Sequence, residues 1–180
     1  MQYAESTGSH SRIGTDELPH RSALLRAFRE PHDPLLRRHR VLDAAHELVE
    51  CHERRSRAQQ AAHAAGAGPG LVAACSQLVE DIDESRRALI AAIDGWVATH
   101  VAHRSGASLH TETLGAVIDR MAAKWIAAQQ ALGMNGHGAP PPPQVDSDAH
   151  LQWTRLAELA DGYQDLITDV VEHRRRLPVW

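Results

Sequence analysis

Aromatic side chains are scarce in this 180-residue chain, at 4% of residues. A core made here must rest on aliphatic and alanine contacts. Cysteine is nearly missing too, since Cys51 and Cys75 are the whole supply. Two thiols give neither a disulfide framework nor a structural zinc site. On the helical hairpin inferred below they also fall roughly 10 Å out of level, too far to bridge. No run of roughly 18 apolar residues occurs, so no helical membrane span is predicted. The opening MQYAESTGSHSRIGTDELPH lacks the apolar centre of a secretory signal. A cytoplasmic location is the expectation. An excess of positive charge is likewise absent: the net charge is −4, which gives no general attraction to nucleic acid. The basic runs RRHR (37–40), RRSR (54–57) and HRRR (173–176) read as solvated helix faces. Nowhere do Val, Ile, Thr and Tyr alternate at strand spacing for long. Neither a Gly-rich phosphate loop nor a nucleophile–base arrangement is evident.

What remains is a set of amphipathic helices. Residues 1–20 are polar, rich in Gly and Ser, and expected to be disordered. SALLRAFRE (22–30) predicts a short helix ended by Pro31. Asp33 as N-cap and Pro34 as first residue open a long helix reaching about Ala64, where GAGPG (66–70) breaks it. A second long helix covers about 70–103, with Cys75, Val79, Ile82, Arg86, Leu89, Ile93, Trp96 and His100 in alternating steps of four and three. A third, about 109–132, repeats that spacing through Leu114, Ile118, Met121, Trp125, Ala128 and Leu132. After a Pro/Gly-rich loop (133–145), Asp146 or Ser147 caps a fourth helix that stops before Pro178. The fold expected over 21–180 is all-α: an antiparallel four-helix bundle with a short extra N-terminal helix.

Some polar residues stand out against this pattern. Arg86 occupies a seam position between Ile82 and Leu89. Taking its charge out of water costs several kcal/mol unless a partner is present. Glu47, Glu50 and His52 are expected at its level, with Trp153 covering the guanidinium. The outcome is either a salt bridge fixing helix register or an anchor for an anionic ligand. The segment LHTETLGAVIDRM (109–121) raises a second question, because its apolar residues alone would pack a helix. Read as helix throughout, it puts Glu112 and Asp119 on one face, with Arg120 beside the seam and level with Asp94. An Asp94–Arg120 bridge is the plain expectation. Glu112 falls in the first helical turn, with Thr111 or Ser108 available as the cap.

His100 and His103 are spaced to share a helix face, and His110 and Glu112 follow the turn after them. These are ligand types that zinc or iron accepts. The spacing is short, however, and common in a chain with thirteen histidines. No paired Glu-x-x-His motif occurs, so a ferritin-like di-iron centre lacks its ligands. The expectation is no metal and no cofactor.

RRALIAAIDGWV (86–97), LHTETLGAVIDRM (109–121) and RRRLPVW (174–180) resemble the actinobacterial branch of the Domain of Unknown Function 4254 family. CHERRSRA (51–58) fits the family's His, Glu and Arg run only loosely. The resemblance implies a short helical protein, and places Arg86, Asp94, His110, Glu112, Asp119 and Arg120 at characteristic positions. It also hints at envelope polysaccharide synthesis, since some members are encoded near glycosyltransferases. The expected function is a non-catalytic module binding a partner protein or a small anionic ligand, with a homodimer plausible. The alternative is a small hydrolase or transferase, metal-assisted or not, with Glu112 or Asp119 as general base and His110 as acid or metal ligand.

Overall fold

The structure is a computed structural model describing residues 17–30, 39–133 and 145–179. Asp33, Pro34, the Pro-run loop and most of the expected disordered leader lie outside these residues. In chain order the elements are α1 (Arg21–Arg29), α2 (Arg40–Ala62), α3 (Pro69–His100), β1 (Ser108–Leu109), α4 (Leu114–Ala131), α5 (Val145–Val171) and β2 (Arg175–Arg176).

The helical class follows the sequence pattern. Most of α4 turns inward, burying Leu114, Val117, Ile118, Met121, Ala122, Trp125 and Ile126, and it packs on α2, α3 and α5. Proline at its first position starts α3 without cost, since the N–H it lacks would have no helical partner. That helix is long but peripheral: of its 32 residues only Cys75, Ile82, Ile93, Trp96 and Val97 are buried. Cys51 and Cys75 are both free thiols in buried positions. The short α1 buries Ala23, Leu24, Ala27 and Phe28 against α2 and α5. Ahead of it, Leu18 is buried and the Pro19 carbonyl accepts a 2.7 Å hydrogen bond from the Tyr163 hydroxyl. The packed chain therefore begins before residue 21.

His39 opens α2. Its Nδ1 accepts from the Val41 N–H at 3.3 Å, and its Nε2 donates to the Glu17 carbonyl at 2.7 Å. The ring packs beside Trp96 with centroids 5.0 Å apart.

Two boundaries depart from the sequence pattern. A long helix was expected to open at Asp33 and Pro34, but α2 begins at Arg40 with His39 as its N-cap. The third long helix was expected from 109 but begins at Leu114, because Thr113 is its N-cap and accepts from the Ala116 N–H at 3.2 Å. The residues before it instead pair in parallel with the chain's tail, Ser108 with Arg175 and Leu109 with Arg176. A two-residue strand is too short to show alternation in sequence. The fourth long helix stops before Pro178 as expected, ending at Val171. There the Arg174 N–H donates to the Asp169 carbonyl and the His173 N–H to that of Val170, the double bond of a Schellman motif. His173 sits at φ 58°, a left-handed conformation where a Cβ costs about 1 kcal/mol and glycine is the usual occupant. His173→Gly is therefore expected to raise the unfolding midpoint by about 2–3 °C in a calorimetric scan.

Candidate functional site

Arg86 has the company its position demands, though not from the expected carboxylates. Its Nε and one terminal nitrogen grip Asp119 of α4 side-on, at 3.1 and 2.6 Å. The other terminal nitrogen donates to Asp83, one turn back on α3, at 2.6 Å. Asp119 Oδ1 also accepts from His52 Nε2 of α2 at 2.8 Å. Asp83 in turn accepts from Arg55 Nε at 3.1 Å. The result is an alternating chain, His52–Asp119–Arg86–Asp83–Arg55, that crosses α2, α3 and α4. Glu47 and Glu50, expected at this level, take no part: Glu50 pairs with His46 at 3.3 Å. Trp153 meets Trp125 edge-on, with ring centroids 5.7 Å apart.

The electrostatics follow from that geometry. Burial pushes the Asp119 carboxyl up, but hydrogen bonds from His52 and Arg86 outweigh it and hold it at about 2. Arg86 is raised above its ordinary value, first by its bond to Asp119. Burial also acts against Asp83, yet Arg86 and Arg55 hold it below the usual carboxylate range.

A second cluster joins α3 to the start of α4. Asp94 accepts from the Gly115 N–H at 2.8 Å, so a carboxylate of one helix caps the next. Burial raises Asp94, and the bonds from Gly115 and Thr113 offset that only in part. The expected Asp94–Arg120 bridge is not made. Arg120 instead reaches back to Glu112 at 2.8 Å, an exposed pair of the kind that contributes little. Since Glu112 precedes α4, it shares no helix face with Asp119. His110 belongs to the loop as well: its Nδ1 lies 2.8 Å from the Glu112 carbonyl and 3.2 Å from the Glu112 N–H.

The four weak metal candidates do not converge. His100 ends α3, its ring stacked on Trp96 at 4.6 Å and its Nδ1 donating to the Trp96 carbonyl at 2.9 Å. His103 lies beyond the helix and is exposed. Among the described residues no three His, Cys, Asp or Glu side chains are grouped to hold a metal ion.

The structure thus brings together His52, Arg86 and Asp119, and separately Glu112 and Arg120. Sequence reasoning missed Asp83, Arg55, Thr113 and Gly115. Asp83 was within reach of the rule that residues three apart on a helix meet. Gly115 carried no signal beyond being a glycine inside an apolar run.

A helical protein whose central polar residues clamp three helices together is what fold and cluster define. Residues 42–179 match the family model described as Protein of unknown function (DUF4254), and the chain belongs to that family. No curated protein and no solved structure matches it. No helix among the described residues is long and apolar enough to cross a membrane.

Proposed function

We propose that the protein is a non-catalytic binding module of the cytoplasm, its α2–α5 helices acting as a four-helix bundle that takes a small anionic ligand or a partner protein. The family resemblance suggests envelope glycan metabolism as its setting. One observation carries the non-catalytic reading: both Asp119 oxygens are occupied, by His52 and Arg86. A carboxylate held at about 2 is a feeble proton acceptor at neutral pH, and the three-helix clamp reads as register-fixing. Leu71, Val72 and Leu78, exposed on the first turns of α3, offer a face for a protein partner or a second copy.

The test is a thermal-shift screen with divalent metals, nucleotide sugars and sugar phosphates on the native chain, Asp119→Asn and Glu112→Gln. An anion should raise the midpoint of all three proteins by a similar increment, with Asp119→Asn starting lower. Turnover of any of these compounds, abolished by either substitution, would favour the hydrolase or transferase instead.

A further inference from the structure

A cavity of about 550 Å³ opens where the start of the packed chain meets the ends of α3 and α5, a size suited to a small molecule. Its apolar surface includes Val101, Ile167, Val170 and Val171. Val171, at 65%, is the most exposed large hydrophobic among the described residues. The permanent charge of the lining has one sign: Glu17 and Glu172 belong to it, and no Lys or Arg does. Glu172 is paired with Arg174, whereas the exposed Glu17 carboxylate has no partner among the described residues. The long helices α3 and α5 both end here, and each end adds a partial negative charge. The start of the nine-residue α1 offsets only part of that. Three exposed histidines, His20, His100 and His173, complete the lining. His100 engages only its Nδ1, and the rings of His20 and His173 are unpartnered among the described residues. His173 stands at φ 58°, so an imidazole is kept where glycine would fit with less strain.

We infer that this cavity is a binding site for a small organic amine, its ammonium group held by Glu17 and the His173 imidazole and its apolar body against Val101 and Val171. The site is independent of the anionic-ligand reading above, because its fixed charges repel an anion. An ammonium group only donates hydrogen bonds, and a carboxylate or an unprotonated imidazole nitrogen accepts them. Attraction to one exposed carboxylate is weak by itself, since water screens it. Apolar contact must therefore supply much of the affinity, which excludes a bare ammonium ion as the ligand. Charge then decides between bodies of the same shape.

The experiment is an NMR titration of the full chain at about pH 8, where an ordinary imidazole is unprotonated, following the methyl signals of Val101 and Val171. Benzylamine, benzyl alcohol, benzoate and methylamine are the probes. Benzylamine should shift both signals saturably and bind ahead of benzyl alcohol, with benzoate and methylamine far behind. Glu17→Gln should weaken benzylamine about three- to fivefold and leave benzyl alcohol unchanged. His173→Gly, expected above to stabilise the fold, should weaken benzylamine about threefold. A merely structural residue would not move affinity and stability in opposite directions. Val171→Lys puts a cation at an exposed position of the lining, and should abolish benzylamine binding while leaving the melting midpoint nearly unchanged. Benzoate binding here as tightly as benzylamine would overturn the choice of an amine. Saturable shifts confined to other signals, or no saturation with any probe, would overturn the site itself. Neither result bears on the function proposed above, which the screen of metals and sugar phosphates tests separately.

Discussion

Asp119→Ala is expected to remove about 3 kcal/mol of folding stability, or about 6–12 °C of the thermal midpoint for a chain of this size. Breaking a buried ion pair from one side costs more than the pair contributes, because the remaining charge keeps its desolvation penalty. Here the side chains concerned are mostly sheltered: 14% exposed for Asp119, 11% for His52 and 21% for Arg86. Denaturant melts of Asp119→Leu, Arg86→Met and the pair should show the double variant well above the sum of the singles, since no stranded charge faces another. Additive losses would mean the contact is not coupled. The same group sets an acid limit. Its folded-state value is depressed from 3.8 to about 2, so its stabilisation is complete above the unfolded value and fades as pH falls through the folded one. Between about pH 4 and pH 2 the native chain should lose roughly 2 kcal/mol through this residue. Asp119→Asn should flatten that part of the pH–stability profile.

That a charge on the second long helix needs partners was legible in the sequence; which partners was not. The spacing of Ile82, Arg86 and Leu89 places the guanidinium on an apolar seam, where only a counter-charge makes the position tolerable. Choosing the counter-charge required knowing which residues lie level on adjacent helices. That calculation used helix ends, and the end that mattered moved: α4 starts at Leu114, five residues later than its apolar spacing suggested. The apolar period cannot register the difference, since His110 to Thr113 contribute nothing to the seam. Thr113 carried the boundary as a cap, but Thr111 and Ser108 competed for that role on sequence grounds. The helices themselves were readable because their apolar steps persist over many turns.

Gly115→Ala tests how closely α3 and α4 are joined. A Cβ at this position would lie 2.6 Å from the Ile90 carbonyl oxygen, 2.9 Å from Asp94 Oδ1 and 3.0 Å from Ile90 Cγ2. The first contact is with backbone, which cannot rotate aside, so one helix must move off the other. Such a shift would also lengthen the 2.8 Å bond by which Asp94 caps α4. Together these give an expected loss of about 2–4 kcal/mol in urea melts. Asp94→Ala in the same chain should not restore stability, because the carbonyl remains in the way. Full recovery in that double variant would show that the carboxylate, and not the backbone approach, sets the spacing. Gly95→Ala is the matched control. It lies inside α3 with nothing within 4 Å of the added Cβ, so the same substitution should stabilise by about 0.5–1 kcal/mol through helix propensity alone. Opposite signs from one methyl group on facing helices would locate the constraint at the helix contact and not in the glycine's own flexibility.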